Sequence, residues 1–208
     1  MQSRPTVVVL AAGKGSRFKG SAHKLEQSLG DLSVLGSTLR NAIESHLPVV
    51  VVTTQALAAS ASQIVAARDV VVVPQALAAL GMGHSIAAGI AARADSPGWL
   101  LLPGDMPMVR PATLLAVAAA LEHHPVAYAQ YQGRRGHPVG FAAELYSELM
   151  MLSGDEGARR IVARYPAIGV DVDDPGVLLD LDTEADLMAM RALREAAAPR
   201  PPTGASTG

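Results

Sequence analysis

Hydrophobic residues form short continuous runs along the chain, and segments in which apolar residues recur with helical spacing separate these runs. Continuous runs, rather than alternating ones, are typical of strands buried on both faces of a sheet. The predicted strands of the first half are residues 6–10, 48–53, 69–73 and 98–102. The predicted helices are residues 34–45, 58–67, 85–92 and 111–121. Strands and helices in this order predict right-handed crossovers and a parallel sheet covered by helices on both faces.

The second half has a less regular pattern. It predicts strands over residues 126–131 and 138–141 on either side of a turn at residues 133–136, and a further strand over residues 168–172. Helices are predicted over residues 144–152, 156–165 and 183–198. We therefore expect a single domain over residues 1–195. The remaining residues 196–208 are rich in Pro, Gly, Ser and Thr and are expected to be a disordered tail.

Composition excludes several classes of protein. Seventeen Lys+Arg against nineteen Asp+Glu, with only 3% aromatic residues, offer neither a basic surface nor stacking platforms for a nucleic acid polymer. No apolar run approaches the roughly 20 residues of a membrane-spanning helix, and none near the start resembles a secretory signal. Cysteine is absent, which excludes disulfides and thiolate chemistry. We expect a cytoplasmic protein without a membrane partner.

A glycine-rich loop directly follows the first predicted strand, where open α/β sheets bind ligands. It fits neither the dinucleotide fingerprint nor the Walker A pattern. Its glycines nevertheless allow backbone N–H groups to approach an anion, and its hydroxyl and cationic side chains suit phosphates. The candidate phosphate ligands are Gly13, Gly15, Ser16, Arg17 and, further along, Lys24. Alternatively, the loop is a flexible connection with solvated cations.

Two acidic positions are candidate ligands of Mg²⁺. Asp105 follows the buried strand at residues 98–102, and a carboxylate beside a phosphate-binding loop is the usual protein contribution to a Mg²⁺ site. Asp182 belongs to a second acidic cluster and could provide another carboxylate. In the alternative interpretations, Asp105 satisfies the N–H groups of a turn and Asp182 caps the last helix.

Three further segments carry candidate binding residues. Gln75 ends a predicted strand, and its amide could recognise a nucleobase edge, as could backbone groups near Gly81. His137 lies beside a basic predicted turn that could meet an acidic acceptor, and Arg159 follows a glycine-rich loop. The alternatives are a polar strand end for Gln75, helix caps for His84 or Ser85, and solvated residues in the other two segments.

Five stretches, at residues 10–24, 81–85, 102–107, 135–141 and 153–159, resemble in order the motifs of the molybdenum cofactor nucleotidyltransferase family. An acidic segment at residues 182–186 follows them, so the resemblance covers nearly the whole chain except the tail. It implies a three-layer α/β/α Rossmann-like nucleotidyltransferase fold with a mostly parallel central sheet. It also implies transfer of a nucleotidyl group from a nucleoside triphosphate to the phosphate of molybdopterin, with Mg²⁺ as cofactor and pyrophosphate as product.

The resemblance assigns roles to individual residues. It implies that Arg17, Lys24 and Asp105 are catalytic. Asp105 and Asp182 would bind the metal, and His137 and Arg159 would bind the acceptor. The nucleotide-binding residues are Leu10, Ala11, Ala12, Gly13, Gly15, Ser16, Arg17, Lys24, Gln75, Gly81, Met82 and Ser85. A molybdoenzyme of the xanthine dehydrogenase type is a further expected partner.

The loop sequence Ala11-Ala12-Gly13 is similar to that of cytidylyl-transferring members, whereas guanylyl-transferring members tend to carry Ala-Gly-Gly. The methyl group of Ala12 would narrow the base pocket and favour a pyrimidine, so we expect CTP. Three positions depart from the family: Gly83-His84 replaces a Ser-Ser-like pair, Phe18 replaces Met, and His137 replaces Asn. The Gly83-His84 pair, taken together with Gln75, is similar to the corresponding residues of uridylyltransferases of sugar phosphates. The alternatives are therefore a nucleotidyltransferase for a sugar phosphate or other phosphorylated acceptor, and a non-catalytic molybdenum cofactor assembly factor.

Overall fold

The apolar runs of the sequence become the strands of one twisted sheet in the computed structural model, which describes residues 4–13, 18, 23–155 and 157–197. The strands are β1 (Thr6–Ala11), β2 (Ser28–Leu29), β3 (Leu32–Ser33), β4 (Val49–Thr53), β5 (Val70–Val72), β6 (Gly98–Pro103), β7 (Val126–Tyr131), β8 (Arg134–Ala142) and β9 (Ala167–Asp171). The helices are α1 (Val34–Glu44), α2 (Gln55–Ser62), α3 (Gln75–Ala78), α4 (Met82–Ala91), α5 (Pro111–Ala120), α6 (Tyr146–Met150), α7 (Arg159–Arg164) and α8 (Glu184–Ala197).

Seven strands form the central sheet in the order β5-β4-β1-β6-β8-β7-β9, and β2 and β3 form a separate hairpin. β8 alone runs antiparallel to its neighbours β6 and β7, and the other pairs are parallel. The side chains of β1 alternate between two cores: Val7 and Val9 pack with α1, α2, α5 and α8, whereas Val8 packs with α4, α6 and α7. The predicted three-layer fold with a mostly parallel sheet is confirmed.

Several predicted boundaries differ from the structure. β8 begins at Arg134, inside the predicted turn, because Gln132 and Gly133 form the hairpin turn by themselves, with φ values of 50° and 73°. The helix predicted over residues 58–67 spans Gln55–Ser62, and the one predicted over residues 85–92 begins at Met82. The helices predicted over residues 144–152 and 156–165 are shorter, as α6 and α7. Neither α3 nor the β2–β3 hairpin was predicted, because such short elements leave no periodic pattern.

α8 extends to Ala197, past residue 195, where the domain was expected to end. Residues 198–208, to which the prediction of a disordered tail applies, lie outside the described residues. Within the described part of the chain, no helix has both the length and the apolar character needed to cross a membrane.

Two arginines attach α8 to the β2–β3 hairpin. Arg191 donates to the carbonyl of Ser28 through Nε at 3.0 Å and Nη2 at 2.7 Å. Nη1 of Arg194 donates to the carbonyl of Leu29 at 2.5 Å and to the hydroxyl of the buried Ser37 at 2.9 Å. The hairpin immediately follows the segment that carries Lys24, so these contacts connect α8 to that segment.

Replacing Arg194 with alanine is expected to lower the free energy of unfolding by about 2 kcal/mol, because it removes charge-assisted hydrogen bonds and leaves a buried hydroxyl with one fewer partner. Urea denaturation measures this effect, with Arg194→Lys, which keeps the charge, as the milder comparison. Equal urea midpoints for wild type and Arg194→Ala would show that the contacts of Arg194 do not stabilise the fold.

Candidate active site

The carboxyl ends of β1 and β6 meet because the two strands are parallel neighbours, with Leu10 opposite Pro103. The N–H of Gly104 donates to the carbonyl of Leu10 at 2.8 Å. A Cβ at Gly104 would lie 3.1 Å from that carbonyl oxygen and 3.2 Å from Cβ of Ala11, so glycine permits this close approach. Asp105, the next residue, is therefore held beside the start of the glycine-rich loop.

Lys24, Asp105 and Asp182 converge at this edge from distant parts of the sequence. Nζ of Lys24 lies 2.5 Å from Oδ2 of Asp105 and 3.5 Å from Oδ1 of Asp182, and it donates to the carbonyl of Leu181 at 3.0 Å. The backbone reinforces the cluster, because the N–H of Leu181 donates to the carbonyl of Asp105 at 3.0 Å. The structure thus brings together one predicted phosphate ligand and both predicted metal ligands.

Three carboxylates and one ammonium group meet in the described part of this cluster. Asp180, Asp182 and Asp105 interact electrostatically with one another and with Lys24. Burial raises the pKa of Asp180 above its ordinary value, and repulsion from Asp182 and Asp105 raises it further. The sequence analysis did not single out Asp180 or the carbonyl of Leu181. The acidic run around Asp182 could have pointed to Asp180.

One oxygen of Asp105 has no partner in the described structure. Oδ1 is buried and accepts no hydrogen bond from any described residue. A buried carboxylate oxygen without a donor is costly, and a divalent cation would satisfy it. Among the described residues, no three His, Asp or Glu side chains are arranged to hold a metal by themselves. Asp105 and Asp182 are carboxylates of the kind that Mg²⁺ takes in proteins, and substrate oxygens and water would complete its coordination.

The start of α8 is capped by Thr183 and Asp186, so the alternative interpretation of Asp182 as the helix cap is wrong. A carboxylate oxygen of Asp186 accepts from the N–H of Thr183 at 2.7 Å, and the hydroxyl of Thr183 accepts from the N–H of Asp186 at 3.2 Å. This reciprocal arrangement satisfies the first N–H groups of the helix. The carboxylate of Asp182 instead lies near the ammonium group of Lys24.

His137 approaches the cluster because β8 runs antiparallel to β6, with Val139 opposite Leu101. The chain before Val139 therefore runs beside the carboxyl end of β6. His137 is a strand residue, so its interpretation as part of a solvated turn is wrong. Burial lowers its pKa from 6.5 to about 4; Asp105 opposes this shift, and Arg135 and Arg159 add to it. His137 and Arg159, the two predicted acceptor ligands, thus share one electrostatic environment with Asp105.

The stability of the protein is expected to fall on acidification in a way that depends on His137. The unfolded chain takes up a proton on this residue near pH 6.5, whereas the folded protein does so only near pH 4. Stability is therefore fully present above pH 6.5 and declines as the pH falls from there towards 4. Between pH about 7 and about 5, wild type should lose roughly 2 kcal/mol more than His137→Gln, whose side chain does not titrate.

Urea denaturation of wild type and His137→Gln at both pH values measures this difference. Parallel losses of stability in the two proteins would contradict the lowered pKa of His137 in the folded protein.

The predicted nucleotide-binding residues occupy several places along this edge. Leu10 and Ala11 end β1 and Ala12 follows the strand. Ala11 and Ala12 are buried, and Gly13 is exposed with open space around it. Gly15, Ser16 and Arg17 lie outside the described residues. Gln75 is not a strand end, as predicted, but the exposed first residue of α3, because the chain turns into a helix immediately after Pro74.

Gly81, Met82 and Ser85 surround the start of α4. Gly81 is the residue before the helix and has a φ of 130°, Met82 is 52% exposed, and Ser85 is buried. His84 and Ser85 are therefore helical residues rather than caps. The N–H of Gly83 donates to the carbonyl of Gly154 at 3.0 Å, so the loop before Arg159 packs directly on this helix start. Sequence reasoning missed this contact, for which the glycines were the only signal.

Comparison with known proteins agrees with this geometry. Residues 7–168, more than half of the chain, match the model of the MobA-like NTP transferase domain. The bifunctional protein GlmU of Alkalilimnicola ehrlichii is 38% identical over 123 residues, which are 57% of this chain and 26% of GlmU. The chain thus spans about a quarter of the length of that curated relative.

Solved structures share the fold over most of the chain. The structure of Rv0371c from Mycobacterium tuberculosis H37Rv superimposes with a TM-score of 0.77 at 29% identity and covers 91% of this chain and 99% of its own. The same protein has been solved in complex with manganese, with a TM-score of 0.73 at 28% identity and coverage of 91% and 99%. Molybdopterin-guanine dinucleotide biosynthesis protein A from Archaeoglobus fulgidus has a TM-score of 0.70 at 18% identity, covers 92% and 99%, and supports the fold alone. On the extent of the domain match, this chain belongs to the MobA-like NTP transferase family.

Proposed function

We propose that this chain transfers a cytidylyl group from CTP to the phosphate of molybdopterin and releases pyrophosphate in a reaction that depends on Mg²⁺. Family membership supports nucleotidyl transfer from a nucleoside triphosphate. The observation that carries the proposal is the Lys24–Asp105–Asp182 cluster with its unpartnered Asp105 oxygen, at the edge of the sheet where β1 enters the glycine-rich loop. The choice of CTP rests on the loop sequence around Ala12, whose methyl group is buried.

In the proposed reaction, an oxygen of the acceptor phosphate attacks the α-phosphorus of CTP in line with the leaving group. The bond from the α-phosphorus to the oxygen that bridges to the β-phosphate breaks, and that oxygen leaves with its electron pair as part of pyrophosphate. Positioning and neutralisation of charge supply most of the catalysis in such transfers. The protein therefore needs cations and N–H donors around the triphosphate rather than a nucleophile of its own.

The residues divide this work by position. Gly13, together with Gly15, Ser16 and Arg17 from outside the described residues, would hold the triphosphate, and Lys24 would stabilise charge on the α-phosphate. Asp105 and Asp182 would hold Mg²⁺, which supplies positive charge to the phosphates when bound. On the acceptor side, Arg159 would pair with the phosphate, and His137, neutral near pH 7, would bind it as a hydrogen-bond donor.

A sugar phosphate is the second candidate acceptor, favoured by Gly83-His84 and Gln75, where the sequence departs from the molybdenum cofactor family. A non-catalytic assembly factor has less support, because binding and delivery alone do not require a lysine held between two carboxylates. A cytoplasmic location and a molybdoenzyme partner of the xanthine dehydrogenase type stay predictions.

A screen for pyrophosphate release tests the proposal. Each of CTP, GTP, UTP and ATP is combined with Mg²⁺ and with molybdopterin, a panel of sugar phosphates, or no acceptor. The expected result is the highest rate with CTP and molybdopterin. Faster release with a sugar phosphate would establish the second candidate. No release with any pair, together with no thermal stabilisation by any triphosphate, would overturn nucleotidyl transfer.

A further inference from the structure

The ammonium group of Lys24 is held within the carboxylate cluster by two hydrogen bonds and one longer ion-pair contact. A lysine ammonium has three N–H donors. In this structure it has three oxygen neighbours: Oδ2 of Asp105 at 2.5 Å, the carbonyl of Leu181 at 3.0 Å and Oδ1 of Asp182 at 3.5 Å. Only 13% of the Lys24 side chain is exposed, so the group is also largely removed from water. While these contacts persist, the positive charge of Lys24 is neutralised by carboxylates rather than by a phosphate.

The same two carboxylates are those that fit a divalent cation. Lys24 and Mg²⁺ would therefore compete for the same two side chains, since Lys24 contacts both carboxylates and both would hold the metal. The lysine leaves the site incompletely satisfied, because Oδ1 of Asp105 is buried and has no partner among the described residues. The ammonium group of Lys24 hydrogen-bonds Oδ2 of Asp105 and leaves Oδ1 of the same carboxylate without a described partner, so a divalent cation would satisfy an oxygen that the lysine does not.

We propose that Lys24 is a displaceable cation: it fills the metal position in the ligand-free protein, and a divalent ion replaces it and frees its ammonium group for the triphosphate. This inference rests on the proposed function for the identity of the metal ligands. It assigns one lysine to two successive partners, carboxylates first and phosphate afterwards. Binding of the metal without nucleotide then has to break the Lys24–Asp105 ion pair.

Metal affinity in the absence of nucleotide tests the competition. Mn²⁺ is titrated into wild type, Lys24→Met and Arg135→Met, and binding is followed by calorimetry or by the paramagnetic resonance signal of free Mn²⁺. If Lys24 blocks the site in roughly nine-tenths of the molecules, Lys24→Met should bind Mn²⁺ about tenfold more tightly, because apparent affinity scales with the competent fraction. Arg135→Met removes the same charge from a residue that acts electrostatically on His137 and lies over the ring of Tyr128. It should change the affinity much less.

The accessibility of Lys24 provides a second readout that needs no substitution. The chain has only three lysines, so the peptide that contains Lys24 is distinguished from those of Lys14 and Lys19 by mass spectrometry. Acetylation of Lys24 by a limiting reagent should accelerate several-fold when Mg²⁺ is added without nucleotide. In Asp105→Asn, the reaction should be fast and insensitive to Mg²⁺.

The inference is overturned if Lys24→Met binds Mn²⁺ no more tightly than wild type, or if Arg135→Met gains as much affinity. It is likewise overturned if Mg²⁺ leaves the acetylation of Lys24 unchanged in wild type, a result that holds even if Lys24→Met does not fold. Failure of the proposed function looks different: metal still displaces Lys24 in both assays, but no nucleotide and acceptor pair yields pyrophosphate.

Discussion

Replacing Asp105 with asparagine is expected to lower the rate of pyrophosphate release by about 10³-fold, the upper end of the range seen when one preorganised donor is removed from an active site. The substitution keeps the size of the side chain and removes the charge that would hold Mg²⁺. The metal charge would act on the α-phosphate in the transition state, so we expect the loss in kcat rather than in the KM for CTP. Steady-state kinetics at saturating Mg²⁺ measures it.

Asp95→Asn is the matched control. Asp95 is exposed and lies before the amino end of β6, whereas Asp105 follows its carboxyl end, so this variant loses the same charge at the opposite side of the sheet. It should retain the wild-type rate. A folded Asp105→Asn protein within tenfold of the wild-type rate would remove Asp105 from the catalytic machinery and, with it, the proposed metal site.

Gly81→Ala should cause the largest loss of stability among single methyl additions near the site. The φ of 130° and ψ of 165° at Gly81 belong to a region that is nearly exclusive to glycine. A Cβ would also lie 2.1 Å from the carbonyl carbon and 2.3 Å from the carbonyl oxygen of Gly154. Both atoms are backbone, so the loop itself would have to move. We expect a loss of about 3 kcal/mol or more in the free energy of unfolding, which is about 6–12 °C in Tm for a chain of this size.

Gly154→Ala separates the two causes of this loss. Gly154 also has a positive φ, of 68°, but a Cβ there would meet no atom within 4 Å. Gly154→Ala should lower the free energy of unfolding by only about 1–2 kcal/mol, which is the cost of placing a side chain at a positive φ. Equal losses in the two variants by differential scanning calorimetry would show that contact between the loop and α4 is unimportant.

The contact of Gly81 with the loop at Gly154 also bears on function, because this loop leads into α7. Arg159, the proposed acceptor ligand, begins α7 only five residues after Gly154. The backbone contact of Gly83 with Gly154 fixes this loop against the start of α4, where nucleotide binding is proposed. A displaced loop in Gly81→Ala is therefore expected to affect acceptor and nucleotide binding together.

The sequence by itself determined the layered fold. The runs that became β1, β4 and β6 are continuous and apolar because each strand is covered on both faces, and this pattern is visible in the order of residues alone. It also located Asp105 and the glycine-rich loop at strand ends, since carboxyl ends of parallel strands share one edge of the sheet. Short elements such as α3 and the β2–β3 hairpin were missed because they span less than one period of any pattern.

Only the tertiary structure decided which charges meet. Lys24 and Asp182 are 158 positions apart in sequence, and no local pattern encodes the 3.5 Å between their side-chain atoms. Their proximity depends on α8 returning to the first loop, where Arg191 and Arg194 hold it against the β2–β3 hairpin. Thr183 and Asp186 cap α8, so the carboxylate of Asp182 is not the helix cap and lies near Lys24 instead. The local sequence left both roles of Asp182 open. Hydrophobic periodicity specifies layers because burial is a property of each segment, whereas a site of opposed charges depends on distances that exist only after the layers have packed.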